Sequence, residues 1–188
     1  MVQQIVLLAF PGVNLLDVAG PAQVFTSATE LYSTANEQPA PAYAVTVASV
    51  RGGLTRTTSG LEINTVPIST LYCAPIDTLL IAGGHGSEAA GTAEEVVGWL
   101  YAVRPRVRRI GSICTGAFVL AAAGLAEGRR LATHWAYATG FRNFIQVSTS
   151  NGTPSSLRME VSGARRGSVP ASISHLRWSN RISDGNSL

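Results

Sequence analysis

Two continuous apolar runs, Ile5 to Phe10 and Ile76 to Ala82, stop abruptly at Pro11-Gly12 and at Gly83-Gly84-His85-Gly86. A strand that is apolar at every position, rather than at alternate ones, is buried on both faces, as in a parallel sheet covered by helices. The sequence between and beyond the runs supplies such helices. Asn14 to Gly20 reads as a strand-end loop leading through Pro21 into Ala22 to Ser33, where Val24, Phe25, Ala28, Leu31 and Tyr32 recur at helical spacing. Glu88 to Val103 is a second amphipathic stretch, and Ala117 to Ala123 is apolar enough for a buried helix that Gly124 ends. Tyr43 to Val50 alternates as a strand, Leu54 to Ser59 and Leu61 to Val66 form a ribbon around Gly60, and Arg106 to Cys114 returns as a strand. Gly128 to His134 then precedes a helical Ala136 to Phe141. Strands alternating with helices predict an α/β fold with a mainly parallel sheet.

Length and composition narrow the class. The 188 residues fit one domain, and 46% hydrophobic against 13% charged residues excludes a wholly disordered chain. The net charge of +3 is not a nucleic-acid signal, because it is unevenly placed. Residues 1–141 carry 8 Arg and 9 acids, whereas 142–188 carry 6 Arg and 2 acids, and there is no lysine. Serine shifts at the same point, from 7 before Phe141 to 11 after it. Cys73 and Cys114 lie in neither a CxxC nor a His-rich pattern, so no disulfide framework, metal or cofactor is expected. No targeting signal opens the chain, and the longest apolar stretch, Ile113 to Ala126, is short of the ~20 residues that cross a bilayer. The expectation is a cytoplasmic protein with no membrane span.

Ligands of open parallel sheets bind outside the carboxyl ends of the strands. Three such ends stand out: Asn14 to Pro21, Gly83 to Gly86 and Cys114 to Gly116. Cys114 sits at an abrupt strand-to-helix reversal, which presents a side chain above the sheet as a nucleophile elbow does. The following helix start is expected to lower its thiol pKa; the alternative is a small buried core residue. Asp17 is an acid among apolar neighbours, with a raised pKa if it faces Cys114, or else a helix-capping acid. The N–H groups of Gly83 and Gly84, with that of Thr115, could form an oxyanion pocket. His85 and His134 are candidate acid/base or substrate-positioning groups, with a structural role as the alternative. Cys73, close to Pro75, is read as non-catalytic.

Together, Phe10-Pro11-Gly12-Val13, Leu15-Leu16-Asp17-Val18-Ala19-Gly20-Pro21, Ala82-Gly83-Gly84, Ser112-Ile113-Cys114-Thr115-Gly116-Ala117 and Thr133-His134-Trp135-Ala136-Tyr137 resemble the ThiJ/PfpI superfamily. That superfamily has a flavodoxin-like fold related to class I glutamine amidotransferase domains. The match is nearest to its branch of GlxA-like AraC-type regulators and isonitrile hydratases, and covers residues 2 to about 141. The resemblance implies a three-layer α/β sandwich, Cys114 as the elbow cysteine with Asp17 as its partnering acid, and Thr115 and Gly84 as ligand-facing positions. It implies a small-molecule ligand and allows a homodimer. The leading expectation is the ligand-sensing domain of an AraC-type regulator without its helix-turn-helix part, so that this chain does not itself bind DNA. The alternatives are an isonitrile hydratase-like hydro-lyase, in which Cys114 and Asp17 add water across an isonitrile to give an N-substituted formamide, and a non-functional truncated fragment.

The resemblance stops after Phe141, where a final strand and helix should follow. With codons chosen from the degenerate set and read from the third base, Val169 to Asn180 can yield Ala-Gly-Ile-Asp-Leu-Ala-Phe-Ala-Leu-Val-Glu. Val147 to Ser156 can yield Val-Asp-Val-Glu-Arg-Asp-Pro-Ile-Phe at the same offset. These resemble the closing helix and the strand before it, and the shift accounts for the Arg and Ser excess. Residues 142–188 are therefore expected to be an out-of-frame or disordered tail, leaving apolar sheet surface uncovered at ~25 cal/mol per Å².

Overall fold

The computed structural model describes residues 2–36, 41–126, 130–137, 140 and 158–162, and the first apolar run lies near the middle of its main sheet. Strand β1 (Gln3–Leu8) pairs in parallel with β2 (Tyr43–Ser49), Leu8 opposite Ala48, and on its other side with β5 (Ile76–Ile81), Leu8 opposite Ile81. Beyond β5 lies β6 (Arg109–Ser112), again parallel. On the far side β4 (Glu62–Pro67) joins β2 in parallel and carries antiparallel β3 (Gly53–Arg56). The order β3-β4-β2-β1-β5-β6 is the mainly parallel sheet expected, and β7 (Arg130–His134) and β8 (Arg158–Ser162) form a separate parallel pair.

Burial explains why these runs are strands. Ile5, Leu7, Leu8, Leu79 and Ile81 are wholly buried, which requires cover on both faces of the sheet. Helix α1 (Leu15–Asn36) packs on β2, with the Phe25 and Tyr43 rings 5.2 Å apart and the Tyr43 N–H donating to the Thr29 hydroxyl. Helix α3 (Glu94–Val103) buries Val96, Trp99, Leu100 and Val103. Helix α4 (Gly116–Ala122) buries Gly116 to Leu120, and α2 (Ser87–Thr92) lies against it where Gly91 meets Ala122. The result is the flavodoxin-like α/β sandwich.

Three boundaries differ from the sequence reading. α1 starts at Leu15 and runs through Pro21, so Asp17 stands in its first turn rather than in a loop. The start is set by Asn14, whose Oδ1 accepts the Leu16 N–H at 3.1 Å. The stretch 88–103 is two helices, not one, broken at Ala93 with ψ 115°. There the Thr92 hydroxyl turns back onto the Glu88 and Ala89 carbonyls, and Glu94 and Glu95 favour a new helix start. The closing helical stretch begins as a 3-10 turn, Trp135–Tyr137; residues 138, 139 and 141 lie outside the described residues. So does the stretch read as a tail, 142–188, apart from β8. No described strand pairs with the outer edge of β6, and no described helix is long and apolar enough to cross a membrane.

Candidate functional site

Because β1 leads to β2 on one side and its neighbour β5 leads to β6 on the other, the connections leaving these two strands diverge, and a crevice opens at their carboxyl ends. The chain leaves β1 through Gly12, at φ 78°, and the Asn14 N–H then donates to the Gly83 carbonyl at 2.8 Å. That bond docks the start of α1 on the end of β5. Asp17, one turn on and 7% exposed, accepts the Gly83 N–H on Oδ2 at 3.0 Å.

Cys114 follows β6 with φ 52°, and it is the one non-glycine residue with positive φ among those described. Left-handed backbone costs a residue with a Cβ ~1–2 kcal/mol and persists only where its surroundings enforce it. Here the Ile113 N–H donates to the Ile81 carbonyl at 2.9 Å and the Gly116 N–H to the Ile113 carbonyl at 2.9 Å. Gly116 lacks the Cβ that would collide with the Ile81 carbonyl, so the reversal can lie close against β5. The half-buried Cys114 side chain is thereby turned toward Asp17.

Gly83 is where the three strand ends meet. A Cβ there would lie 2.7 Å from Asp17 Oδ2, 2.7 Å from the Thr115 nitrogen and 2.9 Å from Cys114 Cβ. Residues 3–151 match the DJ-1/PfpI family model. The chain belongs to the DJ-1/PfpI family. It is 36% identical over 134 residues to a Streptomyces lividans protein of the cpoL 5' region, covering 70% of this chain and 87% of that one. It is 33% identical to the isonitrile hydratase of Pseudomonas putida (73% and 54% covered) and 31% identical to the HTH-type transcriptional regulator GlxA of Rhizobium meliloti (63% and 36% covered). The chain thus spans about half of that hydratase and about a third of that regulator. The crystal structure of a ThiJ/PfpI family protein from Pseudomonas syringae superposes with TM-score 0.65 at 25% identity, covering 77% of this chain and 55% of that one.

In this DJ-1/PfpI site both reactive groups hold their protons more tightly than usual. Burial raises the Asp17 pKa, opposed by the Gly83 N–H and the hydrogen bond from the Cys114 thiol. Burial also raises the Cys114 thiol, and the negative charge of Asp17 adds to it; the Thr115 N–H and hydroxyl oppose the rise. The lowered thiol pKa expected from the elbow is therefore corrected. The sulfur loses hydration, and the charge beside it is an anion, which together outweigh the two Thr115 donors. The thiol donates to the Asp17 carboxylate.

The oxyanion pocket is corrected too. The Gly83 N–H is committed to Asp17, and the Gly84 N–H to the Thr115 hydroxyl at 2.8 Å. What Gly84 contributes is shape, since at φ 139° it lies against the Gly12–Asn14 backbone with no room for a Cβ. Thr115 is 3% exposed, its hydroxyl 2.9 Å from Ser87 Oγ, and Ser87 donates to the Gly84 carbonyl at 2.8 Å. His134, half-buried at the end of β7, has its Nδ1 accepting the Ala136 N–H at 3.3 Å. His85 is exposed, and no described bond ties it to Asp17 or Cys114; Cys73 is exposed as well.

Two hydroxyls escaped the sequence reading: the wholly buried Ser87, and Thr133, which donates to the Cys114 carbonyl at 3.1 Å. Thr133 stands inside the Thr-His-Trp motif, which was read for its histidine; Ser87 carries no local signal. A separate cleft of about 620 Å³ lies at the far end of β6, between Arg104, Arg108, Arg109 and Leu125, and includes none of these site residues.

Proposed function

We propose that this DJ-1/PfpI domain is the ligand-sensing part of an AraC-type transcriptional regulator. The observation carrying this reading is the state of the Cys114–Asp17 pair. A protonated thiol hydrogen-bonded to a buried carboxylate offers a donor, an acceptor and a polarizable sulfur to a small polar ligand, while keeping little thiolate at neutral pH. Similarity to HTH-type regulators supports it, with GlxA at 31% and CdhR of Pseudomonas aeruginosa at 31% identity. In such a protein DNA binding would belong to sequence outside this domain, and residues 142–188 would be an out-of-frame translation of the domain's last strand and helix. Sequencing the locus tests both points. A shifted base near codon 142 and a helix-turn-helix pair within the next ~120 codons, one small domain, are expected. An intact frame with no such pair would overturn this reading.

A second reading is favoured by the same pair and by 33% identity to an isonitrile hydratase. The Cys114 sulfur would bond to the terminal carbon of an isonitrile while Asp17 passes the thiol proton to that carbon, giving a thioimidate. Water then adds to the carbon, the C–S bond breaks, the sulfur regains a proton and an N-substituted formamide leaves. Formamide formed from a simple alkyl isonitrile, and lost in Cys114→Ala and Asp17→Asn, would place the hydratase first. A folded chain without turnover removes it.

A further inference from the structure

We infer that Thr133 is a positioning residue that sets the reactivity of Cys114 through the peptide plane between residues 114 and 115. The inference deepens the reading of Cys114 and Asp17 as the heart of the site. Thr133 is the penultimate residue of β7, is 2% exposed, and donates its hydroxyl to the Cys114 carbonyl at 3.1 Å. A peptide unit is planar and trans, so fixing the direction of a C=O fixes that of the N–H on its other side. For this peptide the N–H is that of Thr115, and it donates toward the Cys114 sulfur. The Thr115 nitrogen also flanks Gly83, facing the place where Asp17 Oδ2 and Cys114 Cβ converge. The hydroxyl therefore reaches the sulfur through one rigid link.

The need for such a link follows from the strain. Cys114 is held at φ 52°, and a residue forced into the left-handed region relaxes by rotating its flanking peptides. The bonds from Ile113 to Ile81 and from Gly116 to Ile113 hold the two sides of the reversal. Neither holds the 114–115 plane itself. Thr133 does, through its hydroxyl on the Cys114 carbonyl.

The test is the pH dependence of Cys114 alkylation by iodoacetamide, measured on the full chain with Cys73→Ser so that the exposed thiol does not contribute. This readout needs neither an isonitrile nor an effector, so it can fail while the function proposed above stands, and the reverse. Thr133→Val keeps the shape and removes the donor; Thr133→Ser keeps the donor. The midpoint should rise in Thr133→Val by about half a pH unit, roughly a threefold loss of thiolate at a given pH, and return toward the parent value in Thr133→Ser. A folded Thr133→Val with the parent profile, or a Thr133→Ser as displaced as Thr133→Val, overturns the inference. If Thr133→Val does not fold, Thr133→Ala is read by the same criteria. In the unaltered chain the Thr115 amide proton should exchange slowly, and exchange at the rate of an open loop also overturns it.

Discussion

Two aspartates stand at opposite ends of the same parallel strands and titrate in opposite directions. Asp17, beyond the carboxyl end of β1, is buried beside a thiol, and burial raises its pKa. Asp77, near the start of β5, has the Arg108 guanidinium at 2.6 Å and that of Arg109 at 3.2 Å, and these hold its carboxyl at about 2. The bond from Arg108 is the leading cause. At one end the charge is partly exposed and paired with two cations; at the other it is more deeply buried and given N–H and S–H donors in place of a cation. The lesson is that the arginine end fastens strand starts together, whereas the carboxyl end brings two reactive groups out of water so that each holds its proton more tightly, as functional sites do.

The contrast can be broken in several ways. The largest effect should come from Gly116→Ala, which forces a Cβ into the Ile81 carbonyl and pries the reversal off β5. A loss of about 3 kcal/mol or more in urea unfolding is expected, and a loss under 1 kcal/mol would deny the close approach. Next is the strained residue itself. At φ 52° the usual ranking of Ala over Gly reverses, so Cys114→Gly should be more stable than Cys114→Ala by about 1 kcal/mol. The opposite order would mean that the strain is absent.

The two carboxylates give the finest comparison. Asp17 has a folded pKa above its unfolded value of 3.8, so its contribution to stability is complete below that value and declines as pH rises through the folded pKa. Asp17→Asn does not titrate and should be no less stable than the parent at pH 7, with the difference shrinking toward pH 3.5. Asp77 is the reverse case. Its contribution is present above 3.8 and disappears as pH falls through about 2. Because Arg108 and Arg109 are more than half exposed, Asp77→Asn should cost at most about 1 kcal/mol at pH 7. Parallel pH curves for the two variants would erase the distinction between the ends of the sheet.

Much of this was legible in residues 1–137 because local patterns carried it. Unbroken apolar runs marked β1 and β5, and small residues around Cys114 marked the reversal. What was not legible depends on distance. Pro21 looked like a helix boundary, yet Asn14 had already started the helix, which moved Asp17 from a loop into a first turn. The rise of the thiol pKa comes from burial and then from an acid 97 positions earlier in the chain, and the use of the Gly83 and Gly84 N–H groups depends on Asp17 and Thr115 reaching them. Thr133 and Ser87 matter only because of what folding places beside them.

The central claim is that burial, reinforced by a neighbouring carboxylate, holds a strained, half-buried thiol in its protonated form. It is tested most directly by the pH profile of Cys114 alkylation in a Cys73→Ser chain with and without Asp17→Asn. The account predicts a midpoint above the ordinary value of 9.0 that falls when the acid is neutralised. A midpoint below that value, unmoved by Asp17→Asn, would contradict it.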